Sequence, residues 1–124
     1  MPPFGAQLLS AETSDDGTNL VLTCTGSAES ESSGALFTTL AGLHDRAVGR
    51  AARAVIADIR ELEFASSSCI KAFVAWLQQI QQLEDGQQYK VRFRSNPRYA
   101  WQMRSLNALA AFAAGVVEIE AVTP

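Results

Sequence analysis

Residues 54–73 read AVIADIRELEFASSSCIKAF: an apolar, partly β-branched run, a charged stretch, three serines, and then helical spacing. Ala54-Val55-Ile56-Ala57-Asp58-Ile59 is short and nearly continuous in its apolar character, as expected of a strand covered on both faces in a parallel sheet. Beyond the serines, Ile70, Phe73, Val74, Leu77 and Ile80 recur at three- and four-residue intervals toward Asp85-Gly86. That spacing predicts an amphipathic helix capped by a serine at its start. A strand feeding such a helix is half of a βαβ unit, so the fold class turns on what lies on either side.

Upstream, Leu36, Leu40, Leu43 and Ala47 mark a helix over Ala35 to Ala52, weakened by Gly42 and Gly49. Gly26 to Gly34 is almost entirely Ser, Glu, Gly and Ala, which buries little apolar area and predicts a mobile loop. Before it, Phe4 to Glu12 and Asn19 to Thr25 flank the turn residues Asp15-Asp16-Gly17 and predict an edge hairpin. Downstream, Tyr89 to Arg94 alternates apolar with basic residues, as a strand with one wet side does. Asn96-Pro97 closes it, and Pro97 is placed to start a helix through Trp101, Leu106, Leu109, Ala110 and Ala113. Gly115 suits a C-cap, and Val116 to Ile119 reads as a last strand. The order β-β-α-β-α-β-α-β predicts an α/β fold. It has a mostly parallel sheet, an N-terminal antiparallel edge hairpin and helices packed against the sheet.

A chain of 124 residues, 48% of them hydrophobic, suits one domain with one core. The net charge of −3 disfavours general nucleic-acid binding, for which the phosphate backbone rewards a basic footprint. Cys24 and Cys69 lack the spacing of a disulfide framework, and with His44 the single histidine no zinc cluster can be composed. The expectation is a reduced, cytoplasmic chain, without a targeting segment or membrane span. No Gly-rich phosphate loop, metal cluster or acid/base pair stands out, so neither an enzyme nor a cofactor is expected.

The segment Glu61 to Phe73 resembles the start of the central helix in STAS domains, the family of anti-sigma factor antagonists and sulfate-transporter tails. In that family an apolar strand ending in Asp precedes a Phe and then Asp-Ser-Ser-Gly-Leu at a helix start. Here Asp58, Phe64, Ser67-Ser68 and Ile70 take those places, and the resemblance runs from Asn19 to Glu120. Two positions depart from the pattern, with Ser66 for the aspartate and Cys69 for the glycine. A neighbouring subgroup of bacterial regulators has an Asn-Thr-Ser-Ser run followed by lysine, to which Ser66 to Lys71 is similar. Both alignments put Ser67 at the phosphoacceptor position. The resemblance implies a non-enzymatic switch in bacterial signal transduction. Its implied partners are a GHKL-type serine kinase or anti-sigma factor, and a PPM-type phosphatase or regulated target. A homodimer is an open alternative.

The serine run has two readings, a helix cap and a modified surface. Ser66, Ser68, Cys69, Lys71 and Trp76 are the candidate partner-binding residues around Ser67. Lys71 suits either a phosphate contact or a solvated helix position. Cys69 is a small buried residue or a reactive thiol at a helix start. Lys90, Arg92 and Arg94 share one strand face, in a stretch from Gly86 to Val117 without an acidic residue. They make either a solvated face or a basic patch that docks an anion, a nucleotide or, with Tyr99 and Trp101 nearby, RNA. A scaffold in a larger assembly and a thiol redox sensor are the remaining alternatives.

Overall fold

The computed structural model describes residues 8–17 and 19–122. Strand β1 (Ser10–Asp15) pairs antiparallel with β2 (Leu20–Ala28), Ser10 opposite Thr25 and Asp15 opposite Leu20. The first expected strand therefore continues past Glu12 to the turn itself; its Phe4 to Gln7 part lies outside the described residues. The turn closes as its residue types require. The Gly17 N–H donates to Asp15 Oδ1 at 2.8 Å, the Asn19 N–H donates to Asp16 Oδ1 at 2.6 Å, and Gly17 has a φ of 91°.

Strands β3 (Ala54–Ala65), β4 (Lys90–Ser95) and β5 (Val117–Ala121) then add in chain order, each parallel to the one before, giving the sheet β1-β2-β3-β4-β5. Helices α1 (Ser33–Gly49), α2 (Ser67–Gln81) and α3 (Ala100–Phe112) make the crossovers. The α/β architecture with an antiparallel edge hairpin is as the sequence predicts.

A single core joins one face of the sheet (Leu20, Leu22, Cys24, Val55, Ala57, Val91, Phe93) to the apolar stripes of the helices. Leu36, Leu40, Leu43 and Ala47 come from α1, Phe73, Trp76, Leu77 and Ile80 from α2, and Leu106 and Leu109 from α3. The alternate strand positions form the other face. Across it run two registered rows: Val21, Ile56, Arg92 and Glu118, then Thr23, Asp58, Arg94 and Glu120. The expected two-sided cover of β3 is thus replaced by one-sided cover. Ile56, although only 4% exposed, stands outside the core between Val21 and Arg92.

Three further expectations are corrected. Gly26 to Gly34 is built into the fold. Gly26, Ser27 and Ala28 finish β2, Ser30–Ser32 makes a 3-10 turn, and Ser33 and Gly34 begin α1. The polar composition concealed an inward alternation of small residues, with Ala28 fully buried and Gly26 absorbing a register shift at a φ of 85°. Strand β3 runs six residues past Ile59 because two register shifts against β2 keep it paired, with Thr25 opposite Glu61 and Ser27 opposite Phe64. Pro97 sits in a turn and α3 starts at Ala100. The Asn96 side chain accepts from the Arg98 N–H at 3.0 Å and the Asn96 carbonyl accepts from the Tyr99 N–H at 3.0 Å.

Candidate functional site

The far end of β3 and the start of α2 meet at the serine turn, and the fold fixes it from both sides. From β2, the Ala28 carbonyl accepts from the Ser66 N–H at 2.8 Å. From α2, the Ser66 Oγ accepts from the Cys69 N–H at 3.2 Å, with Ser66 at φ −67° and ψ 162°. Ser66 is therefore the N-cap, 9% exposed, and of the two readings of the run it takes the capping one. Ser67 follows as the first helical residue and is exposed; Ser68 is half-buried; Cys69 is fully buried. The Cys69 thiol donates to the Glu29 carbonyl at 3.3 Å, tying the 3-10 turn after β2 to α2.

These assignments separate the hydroxyls by role. Replacing the cap in Ser66→Ala is expected to cost about 1 kcal/mol, because one amide of the first turn loses its acceptor. Ser67→Ala, which removes no hydrogen bond from the described residues, is expected to leave stability within about 0.5 kcal/mol. Urea unfolding of the two variants checks the contrast, and equal losses would contradict the assignment.

On the other flank, β3 overhangs β4, which pairs only with Ala54 to Asp58. The carbonyls of the overhang are met by side chains from the β4–α3 connection and the start of α3. Gln102 Nε2 donates to the Ile59 carbonyl at 2.7 Å and to the Leu62 carbonyl at 2.9 Å, while its Oε1 accepts from the Asn96 N–H at 2.8 Å. Asn96 Nδ2 donates to the Arg60 carbonyl at 3.1 Å, and Trp101 Nε1 to the Glu63 carbonyl at 2.8 Å. Gln102 is fully buried. From sequence, Asn96 is the residue that closes β4 and Trp101 an apolar position of the third helix with RNA contact as an alternative; the structure packs Trp101 against the core from α3 and uses both residues to hold the strand, while Gln102 has no such sequence reading. A polar residue at the inward position of α3, four before Leu106, is the signal that could have found Gln102.

The surface so presented is acidic with one large apolar group. Glu29, Glu31, Glu61 and Glu63 are exposed around the serine turn, Phe64 is 45% exposed, and Lys71 is the exposed cation one turn into α2. Cys69 and Trp76, expected to face a partner, are core residues at 0% and 1% exposure. Trp76 lies inward because it falls on the same helical stripe as Phe73, Leu77 and Ile80.

Elsewhere the candidate groups are neutralised or inert. Arg92 pairs with Glu118 at 3.4 Å and Arg94 with Glu120 at 4.0 Å, while the Lys90 ammonium donates to the Gly115 carbonyl. The two arginines of the basic patch thus face acids, and Lys90 is held by a neutral carbonyl. The acids come from the neighbouring parallel strand, with the same two-residue alternation just beyond the acid-free stretch. Asp58 lies on that face, away from the serines, and takes the Arg60 guanidinium at 2.9 and 2.8 Å. Burial pushes its carboxyl up, but hydrogen bonds from Arg60 and the charges of Arg60 and Arg94 outweigh it and hold the carboxyl below the usual carboxylate range. Burial pushes the Cys24 thiol up to about 12, with Asp58 and Cys69 adding to it, which removes its thiolate near neutral pH. Both cysteines are free and buried. Among the described residues there is no cluster of His, Cys, Asp and Glu able to hold a metal, and no helix long and apolar enough to cross a membrane.

Among solved structures, the chain is similar to the crystal structure of an anti-sigma factor antagonist from Mycobacterium paratuberculosis. The two share 14% sequence identity with a TM-score of 0.64, over 89% of this chain and 85% of that one. The chain has the STAS fold. No protein-family model and no curated protein matches it. Within the STAS fold as this chain builds it, the serine turn closes the junction between β3 and α2. The turn owes its position to β2 on one side and to the α3 clamp on the other.

Proposed function

We propose that this chain is a non-enzymatic interaction switch of the anti-sigma factor antagonist type, with Ser67 as the phosphoacceptor and the serine turn as the docking surface. The observation that carries it is the division within the run. Ser66 is committed to capping and Cys69 to the core, so Ser67 is the one exposed serine of the run, at the first position of α2. A helix start tolerates an added phosphate, because its amides lack intrahelical partners and its dipole is positive there. The modification adds about −1.5 to −2 charge to a surface that is already acidic, which changes what a partner meets while leaving the fold alone. Phe64 and Ser68 supply apolar and polar contacts beside it, and Lys71 steadies a partner carboxylate or the phosphate. The partners are a GHKL-type serine kinase or anti-sigma factor and a PPM-type phosphatase or regulated target, within the cytoplasm.

Co-purification followed by phosphopeptide mass spectrometry tests this reading. The expected result is a phosphate on Ser67 and a bound kinase. Binding is retained in Ser67→Ala and lost by tenfold or more in Ser67→Asp, since a fixed charge in an interface costs about 1.4 kcal/mol or more. Full partner binding by both variants, with Ser67 unmodified, would overturn the switch and leave a scaffolding role.

A further inference from the structure

Away from the serine turn, aromatic side chains from α1, from α2 and from the residue before β4 form one chain of hydrogen bonds. The Trp76 indole on α2 has a donor and no acceptor, and it donates to the Tyr89 hydroxyl at 2.8 Å. Tyr89 immediately precedes β4, is 1% exposed, and lies 2.6 Å from His44 Nδ1 on α1, with the two rings 5.7 Å apart. The tautomer of His44 sets the direction of this second bond, and the buried Tyr89 hydroxyl proton finds an acceptor among its partners only if it is donated to His44 Nδ1, since the Trp76 indole accepts nothing. That direction requires a neutral imidazole with its lone pair on Nδ1 and its proton on Nε2.

We propose that His44, Tyr89 and Trp76 form an acid-sensitive latch, in which a proton arriving on His44 Nδ1 reverses the bond donated by Tyr89 and loosens the link that Tyr89 makes between α1 and α2. Protonation turns the acceptor into a donor. Two donors then face one phenol oxygen, and the phenol proton is left in a buried site without an acceptor. The imidazolium is also partly desolvated there. Burial holds the His44 pKa below the ordinary 6.5, and the opposing charge of Asp45, its neighbour on α1, does not restore it. Asp45 is the one charged group acting on His44 among the described residues; Tyr89 is the titratable group facing it from the sheet side, and α2 contributes the uncharged indole. The sign follows. The folded state disfavours the proton, so stability is full above the unfolded value near 6.5 and falls as pH drops through the folded one. The latch borders a cleft of about 270 Å³ between the helices, beside Phe37, Leu40, Ala41, Ala75 and Trp76.

The test is an NMR titration of the full chain from about pH 8 to about pH 5, spanning the histidine range. His44 is the only histidine, so its ring signals need no disentangling. The Trp76 indole N–H is expected to shift with the same midpoint as His44, below about 6.5, while the Trp101 indole stays still. The opening equilibrium of α1, read by amide exchange, rises about tenfold for each pH unit separating the folded and unfolded midpoints. His44→Gln keeps a neutral acceptor and is expected to abolish both responses. Tyr89→Phe is expected to uncouple the indole from His44 while raising the His44 midpoint. A Trp76 indole that ignores the His44 titration, or a response unchanged in His44→Gln, would overturn the latch.

Discussion

Trp76→Ala is expected to cost about 3–5 kcal/mol of folding stability, the range for deleting a large aromatic from a packed core. The indole is 1% exposed, on the α2 stripe that faces α1 and the sheet, and its truncation also takes from Tyr89 the donor at 2.8 Å. Against a typical total of about 5–15 kcal/mol, that loss leaves a marginal protein at best. Urea unfolding followed through Trp101 fluorescence measures it. Trp76→Phe serves as the companion variant, because it keeps most of the apolar volume and removes only the N–H, for an expected loss of about 1 kcal/mol beyond repacking. A Trp76→Ala loss below about 1 kcal/mol would show that this position is not core, and would return it to the contact surface that its helical flank first suggested.

Gln102→Leu is the second large effect. Leucine fills similar space but leaves the Ile59 and Leu62 carbonyls and the Asn96 N–H without their partner. Each buried group stranded in this way costs about 1–3 kcal/mol, so a combined loss of about 3 kcal/mol or more is expected. The damage has an address. Hydrogen exchange should accelerate along the β3 overhang and the serine turn before the far end of the sheet responds, because the clamp holds the strand that leads into Ser66. Gln102→Glu adds a pH signature. A carboxylate facing two carbonyls has its pKa raised in the folded state, so its penalty grows as pH rises above the unfolded value of about 4.3. Uniform exchange throughout the chain in Gln102→Leu would contradict the clamp.

Where large apolar residues carried the period, the fold was legible in the sequence. Leu36, Leu40, Leu43 and Ala47 are all buried on α1, and Phe73, Leu77 and Ile80 on α2, as their spacing predicts. Small and charged residues carry no such signal. Ala28 and Gly26 hide a strand end inside a polar run, and the charged stretch after Ile59 gives no strand signal because its bulges break the alternation. For the candidate site, the exposed Ser67 and the capping role of a serine were within reach of local rules. What decides the surface was not. The Gln102 clamp joins residues about forty apart, and the pairing of Arg92 and Arg94 with Glu118 and Glu120 depends on strand neighbours that only the topology supplies. Trp76 shows the converse: three residues after Phe73 and four before Ile80, it falls on the stripe that the spacing predicts, so its inward direction was within reach of the helical period.

The sheet is ordered β1-β2-β3-β4-β5, so every strand lies beside its predecessor in the chain. The consequence is kinetic. No connection needs to skip over an occupied place, so each closure joins segments separated by one helix at most, and loop entropy grows only slowly with such lengths. Each parallel pairing still spans a whole crossover, so folding is expected at the intermediate speed of mixed α/β domains and not at that of helical bundles. On a ribosome each strand–helix pair can also be docked as it emerges, before the next has been synthesised.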